Sequence, residues 1–293
     1  MDIQKINSFI TLARMSSFSK AADELYMSQP ALSKQIKSLE NELQVPLFHR
    51  GKKLTSLTLQ GEYFLPYAEN IMASYYQSRE HILQIENLEM GRLIFGATNF
   101  NGIYLVPETL AAFKNKYKKI GIDLTINSSK NILDMLVRQQ LEFIILSDYI
   151  DIDPKKYVSV RWHDDELQLV VGKNSPLFGK NSVNLEDLKG KLFISKDQHS
   201  SIYKFIMSKL EFPFENMLFI SCQEAIKYAV IHGLGFSIMS TRATFLEEKM
   251  GLLKSLPLEG YSFKRGINIV YEKNKYLTPA TLAYFKLLGL ATQ

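Results

Sequence analysis

Gln29, Ser33 and Lys37 repeat every four residues in the stretch QPALSKQIK, with Lys34 beside them, so a helix would carry all four on one side. An amide, a hydroxyl and two ammonium groups in that arrangement can hydrogen-bond base edges and neutralise phosphates in the major groove of a duplex. Ser28 is placed to cap this helix, and Pro30 is tolerated in a first turn whose amides lack helical partners. A second basic group, Arg50, Lys52 and Lys53, follows within the same region and could lie on phosphates or enter a minor groove. Spacing alone leaves two plain alternatives open, a helical hairpin with a solvated polar face and a solvated basic turn.

A different chemistry is suggested by three polar turns further on: Thr98-Asn99-Phe100-Asn101, Ser128-Ser129 and His199-Ser200-Ser201. Each follows an apolar stretch and precedes a helical pattern, where hydroxyls and free backbone amides suit a carboxylate or phosphate. Some of these side chains would cap their own helices, which does not exclude a ligand. The expectation is a small polar or anionic ligand held between two lobes. Catalysis finds little support. The five histidines are scattered, and His163-Asp164-Asp165 alternates faces on a strand without a second histidine. Cys222 has no base near it in sequence, and neither a glycine-rich phosphate loop nor a G-x-S-x-G elbow occurs.

The elements that must position these groups are legible from apolar spacing. Residues 2–14 read as a helix through Ile3, Ile6, Ile10 and Ala13. Phe18, Ala21, Ala22 and Leu25 form a second, and Leu32, Ile36, Leu39 and Leu43 form a third after the tight Tyr26-Met27-Ser28 break. The stretch from Leu43 to Thr58 predicts a short hairpin with Arg50 to Lys53 at its tip, which makes a winged helix-turn-helix over 1–58. A long helix over 59–89 carries Phe64, Ala68, Ile71, Tyr75, Ser78, Ile82 and Ile85 at alternating steps of four and three, a heptad seam suited to a partner helix. Beyond Met90-Gly91 the pattern becomes α/β, with strands near 93–97, 122–126, 143–146, 166–171, 191–195, 218–221, 236–239 and 266–271. The predicted fold class is therefore α/β with an N-terminal all-α part. Residues 90–293 would form two lobes joined by crossing strands, one of about 90–160 and 266–293, the other of about 161–265.

At 293 residues, 46% hydrophobic and 22% charged, the chain has room for two or three domains with cores of their own. No apolar run reaches the roughly 18 residues of a membrane span, and the N-terminus lacks the layout of a signal peptide. A single cysteine excludes an internal disulfide and fits a reducing cytoplasm. The net charge of +5 is misleading as a sign of nucleic-acid binding. Residues 1–90 hold 9 basic and 10 acidic residues, or −1, whereas the remainder holds 26 and 20, or +6. Any DNA contact would rest on a local patch, not on bulk basicity.

Read in order, helix-turn-helix, wing, long helix and two-lobed α/β domain, the chain resembles the LysR-type transcriptional regulators. Ser17-Phe18-Ser19-Lys20-Ala21-Ala22-Asp23-Glu24-Leu25, Ser28-Gln29-Pro30-Ala31-Leu32-Ser33-Lys34-Gln35-Ile36, Leu39-Glu40, Leu47-Phe48-His49-Arg50 and Leu57-Thr58 with Gly61 follow that family's signature. Glu224-Ala225-Ile226 and Gly233-Leu234-Gly235 look like its late effector-domain motif. The resemblance implies a cytoplasmic regulator that binds double-stranded promoter DNA, with a periplasmic-binding-protein-like effector domain. It also implies a homodimer through the linker helix and a homotetramer of two dimers, RNA polymerase as a further partner, and no membrane. It implies no cofactor beyond a small-molecule co-inducer. Ser28, Gln29, Pro30, Ser33, Lys34, Lys37, Arg50, Lys52 and Lys53 would then meet DNA. Lysine at position 34, where the family more often has arginine, keeps the charge but not the bidentate fork. In the second lobe the family often has a Gly-Ser-Gly-Thr-Arg-like turn; here His199-Ser200-Ser201-Ile202-Tyr203 lacks the arginine, which implies an effector bound differently or less acidic. Two other classes fit parts of the pattern: a ligand sensor whose N-terminal helices only dimerise, and an enzyme working in the two-lobed cleft with His199 as its acid or base.

Overall fold

The computed structural model describes residues 2–49, 55–84, 91–210 and 214–290. They fall into two compact units, one of residues up to Gly91 with Asp134–Leu141, the other of Arg92–Leu133 and Glu142 onward.

The first unit begins with three helices, α1 (Ile3–Met15), α2 (Phe18–Glu24) and α3 (Gln29–Leu43). Each starts on a side-chain cap: Asp2 accepts from the Gln4 N–H, Ser17 from Lys20 and Ser28 from Ala31. Their apolar stripes close a core of Ile6, Phe9, Leu12, Leu32, Ile36 and Leu39. A two-stranded ribbon follows, β1 (Phe48–His49) antiparallel to β2 (Ser56–Leu57). The buried Glu40 carboxylate ties this ribbon to α3 by accepting from the Leu47 and Phe48 N–H groups at 2.8 and 3.3 Å. The ribbon's tip, with Arg50, Lys52 and Lys53, lies outside the described residues.

Helix α4 (Leu59–Gln84) changes the reading of the heptad seam. Ala68 is fully buried, and Phe64 and Ile71 pack on the three-helix core, with the Phe64 and Phe9 rings 5.1 Å apart. The first half of the seam is thus absorbed by the domain's own core, helped by Met72, which the heptad spacing passed over. Tyr75, Ser78 and Ile82 remain exposed, and Ile85 lies outside the described residues.

The second unit is built on a nine-stranded sheet. Its elements in order are β3 (Arg92–Thr98), α5 (Asn99–Tyr104), α6 (Val106–Lys116), β4 (Gly121–Asn127), the start of α7 (Ser129–Val137, counted with the first unit from Asp134 on) and β5 (Phe143–Ser147). Then come β6 (Tyr157–Gly172), β7 (Leu192–Ser195), α8 (Ser201–Met207), β8 (Asn216–Phe219), α9 (Gln223–Ile231) and β9 (Phe236–Ser240). The last are α10 (Thr241–Lys249), β10 (Leu253–Leu256), β11 (Phe263–Glu272) and α11 (Pro279–Leu287). Strand order is β4-β3-β5-β11-β6-β9-β7-β8, with β10 also on β6. β3, β4 and β5 are parallel, as are β7, β8 and β9, each set feeding crossover helices. β11 runs antiparallel to both β5 and β6 and is the strand through which the two sets join.

Two apolar cores flank that junction. One gathers Phe95, Phe143, Phe113 and Tyr284, with the Phe95 and Phe143 rings stacked at 4.7 Å. The other gathers Phe193, Phe214, Phe236 and Ile238. Three differences from the sequence expectation stand out. β6 is 16 residues long and starts at Tyr157, well before the expected 166, while α10 and β10 were not expected at all.

Candidate nucleic-acid interface and ligand cleft

In the first unit, Leu32, Ile36 and Leu39 turn one side of α3 inward, which leaves Gln29, Pro30, Ser33, Lys34 and Lys37 exposed together. Ser28 joins them at the helix start, its Oγ accepting the Ala31 N–H at 3.3 Å. The Ser19 hydroxyl donates to Gln29 Oε1 at 3.4 Å, which steadies the amide from α2. Gln35 turns the other way and accepts from the buried Ser8 hydroxyl, pinning α3 to α1. Glu42 is ion-paired with Lys5, so one of the two acids near this face has a cationic partner of its own. The result is a convex helix face presenting one amide, hydroxyls and two cations.

In the second unit, the three polar turns meet around a cavity of about 300 Å³. Thr98, Asn99 and Phe100 reach it from the end of β3, Ser128 and Ser129 from the end of β4, and His199, Ser200 and Ser201 from the turn after β7. Ser129 Oγ and Ser201 Oγ lie 3.0 Å apart, so the turns of the two strand sets touch here. The capping alternative holds for some of these groups and not for others. Ser128 and Ser200 accept backbone N–H groups of Asn131 and Tyr203, whereas Thr98 makes no such bond. Thr98 Oγ1 instead accepts from Asn101 Nδ2 at 3.0 Å.

Asn101 is a correction to the expected ligand set. It is fully buried and does not line the cavity. Its amide also donates to the Ile145 carbonyl at 3.2 Å, so its work is to hold the Thr98 turn against β5.

Several lining residues escaped sequence reasoning, among them Ser147, Tyr149, Lys196, Gln223 and Arg265. Arg265, on β11, is 5% exposed. Its Nε donates to Asp165 Oδ2 at 2.7 Å, Nη1 to the Tyr149 hydroxyl at 3.3 Å, and its guanidinium carbon stands 4.2 Å from the Phe100 ring centroid. Asp165 in turn accepts from Ser240 Oγ at 2.6 Å. Asp165 and Arg265 are direct cross-strand partners on β6 and β11, a hundred positions apart in the chain. The signal available beforehand was weak, because each falls one position before an expected strand, 166–171 and 266–271, and a charge there asks for a partner only once strand pairing buries it.

Among the described residues no cluster of three histidine, cysteine or acidic side chains could hold a metal. His163 is half-buried on β6, and burial first, then the Arg242 charge, holds its pKa below the ordinary histidine value.

Comparison with known proteins adds the following. Residues 3–62 match a family model described as a bacterial regulatory helix-turn-helix protein of the lysR family. Residues 86–291 match the model of the LysR substrate binding domain. A probable RuBisCO transcriptional regulator of Trichormus variabilis is 33% identical over 280 residues, covering 93% of this chain and 83% of its own. A protein of the same description from Phaeodactylum tricornutum is 32% identical over 285 residues, covering 95% and 93%. Among solved structures, CbnR complexed with its target DNA superposes with a TM-score of 0.74 at 20% identity, covering 99% of both chains. A full-length OxyR variant from Pseudomonas aeruginosa gives 0.72 at 24% identity, covering 99% and 94%. At those identities the likeness is one of fold.

Proposed function

Because this chain belongs to the LysR family, DNA-binding transcriptional regulators with an effector-binding domain and not enzymes, we propose how its own residues divide that work. Helix α3 enters the major groove, with Gln29 and Ser33 on base edges and Lys34 and Lys37 on phosphates or base acceptors. The wing residues Arg50, Lys52 and Lys53 add backbone contacts. The cleft of the second unit holds a small-molecule effector, with Thr98, Asn99, Phe100, Ser128, Ser129, His199, Ser200 and Ser201 around it. The protein works in the cytoplasm as a homodimer through α4, assembled further into a tetramer, and engages RNA polymerase at the promoter. No resident cofactor is required.

The observation that carries the DNA reading is the exposure of Gln29, Ser33, Lys34 and Lys37 on one side of a helix whose other side buries Leu32, Ile36 and Leu39. Gel shifts on the DNA upstream of its own gene test it. The wild type should give a sequence-selective, salt-sensitive shift. Gln29→Ala should cost about 1–3 kcal/mol on the preferred site and relax its sequence preference. Lys52→Ala should weaken binding to specific and random DNA alike. Equal effects of both changes on both kinds of DNA would overturn the division between base and phosphate contacts.

A further inference from the structure

We propose that the cleft takes a small polyhydroxylated acid, a polyol or sugar bearing phosphate or carboxylate, and that Arg265 binds its anionic end. This rests on the reading of the cleft as the effector site and goes further by naming the ligand's chemistry and its anchor.

A guanidinium has five N–H donors in a planar fork. In Arg265 the Nε–H is taken by Asp165 and one Nη1–H by Tyr149. The other Nη hydrogens have no hydrogen-bond partner among the described residues, while the side chain forms part of the cavity wall. The group cannot swing away. Asp165 is itself held by Ser240, and the guanidinium carbon sits over the Phe100 ring. A buried ion pair of this kind adds little net stability over apolar residues of the same volume. What it does supply is a pre-oriented fork at the cavity wall, shaped for two oxygens of a carboxylate or phosphate.

The remaining lining sets the rest of the ligand. Asp165 balances Arg265, and Lys130 and Lys196 against Asp197 leave one further positive charge, two minus one, so the cleft favours an anion. Thr98, Ser129, Ser147 and Ser201 line the same space, with the Ser129 and Ser201 hydroxyls bonded to each other and Thr98 Oγ1 accepting from Asn101. Each hydroxyl can make more than one hydrogen bond, so this lining suits hydroxyl groups on the ligand better than an alkyl chain.

Position matters as much as charge. Arg265 and Asp165 pair across β6 and β11, at the junction of the two strand sets. A ligand gripping Arg265 while touching Ser129 and Ser201 bears on both sets and on the strands that join them.

Titration calorimetry and thermal melts of the full chain with glycerol 3-phosphate, inorganic phosphate and glycerol test the proposal. Glycerol 3-phosphate should bind saturably and raise the melting temperature, phosphate should bind more weakly, and glycerol at equal concentration should do nothing. The double variant Arg265→Gln with Asp165→Asn replaces the buried ion pair with two amides. It should keep the fold and lose at least about tenfold in glycerol 3-phosphate affinity, a 1.4 kcal/mol difference. Ser129→Trp, which fills the cavity, should abolish binding. Binding that survives in the double variant but not in Ser129→Trp overturns Arg265 as anchor and leaves the cleft reading standing. Binding that survives both overturns the cleft as the effector site. No response of the wild type to either anion overturns the acid class. Should the double variant misfold, Arg265→Lys keeps the charge without the fork, and undiminished affinity there overturns the anchor.

Discussion

Glu142 shows what a single buried charge does in this fold. Its carboxylate, 3% exposed, accepts from the Thr278 N–H at 3.3 Å, from Thr278 Oγ1 at 2.9 Å and from Thr281 Oγ1. It thereby secures the start of α11, where Thr278 is the cap. Burial pushes its pKa above the ordinary carboxylate value of 4.5, against those hydrogen bonds and the nearby Lys275 charge. Lys275 answers in the opposite sense, drawn down by burial and held up by Glu272 and Glu142. For an acid whose folded pKa is raised, the folded state binds more protons between the two values. Its contribution is therefore most favourable below about 4.5 and declines as pH rises toward the elevated folded pKa. Glu142→Gln keeps an acceptor for both threonines and removes the titration. Melting temperature measured from about pH 4 to about pH 8 should fall less steeply in the variant than in the wild type. An unchanged slope would mean that Glu142 does not govern that window.

At the scale of elements, the join between the ribbon and α4 depends on close approach. A Cβ on Gly61 would stand 2.2 Å from the Leu47 carbonyl oxygen and 2.9 Å from Leu57 Cδ2. Thr58 sits at the same point, its Oγ1 donating to the Pro46 carbonyl and accepting the Gly61 N–H. Glycine to alanine in a helix ordinarily gains up to about 1 kcal/mol. Here Gly61→Ala should instead destabilise by about 1–3 kcal/mol, because the carbonyl it meets is backbone that cannot rotate away. Urea unfolding followed by circular dichroism checks this, and a raised midpoint would contradict it. The same scale shows what the sequence makes legible. Leu32, Ile36 and Leu39 at helical spacing identify α3 because nothing but burial of that stripe uses those positions. By contrast, α10 buries only Ala243 and Thr244 and exposes Phe245 and Leu246, so no apolar stripe marks it. β6 is hidden for a related reason: its first half alternates around exposed and half-buried positions and only its last residues are a continuous buried run. The three polar turns were legible because hydroxyl-rich segments after apolar stretches mark strand ends where helices begin, whether they cap those helices, as Ser128 and Ser200 do, or line the cavity. Arg265 was not, since its meaning comes from Asp165, and only strand pairing brings the two together.

At the scale of the whole molecule, the charge count constrains how DNA is held. Residues 1–90 carry 9 basic against 10 acidic side chains, so one α3 with its wing lacks the field for tight binding alone. The proposed dimer would supply the missing affinity by pairing two such units, which raises the effective concentration of the second contact. The surface available for pairing is narrower than the heptad spacing suggests, because Phe64, Ala68 and Ile71 belong to the core. That leaves the far half of α4, where Tyr75 is 37% exposed, Tyr76 52% and Ile82 69%. Tyr75→Asp with Ile82→Asp places charges on this stretch without touching any buried residue of the three-helix core. The double variant should keep its helical circular-dichroism spectrum. Its affinity for DNA bearing two half-sites should fall by about a hundredfold to ten-thousandfold, the usual range for lost bivalency, while its affinity for a lone half-site stays within about twofold. Fluorescence anisotropy on the two DNAs reads both quantities. Equal losses on both would locate the damage in the reading helix, and no loss on either would move the pairing surface away from α4.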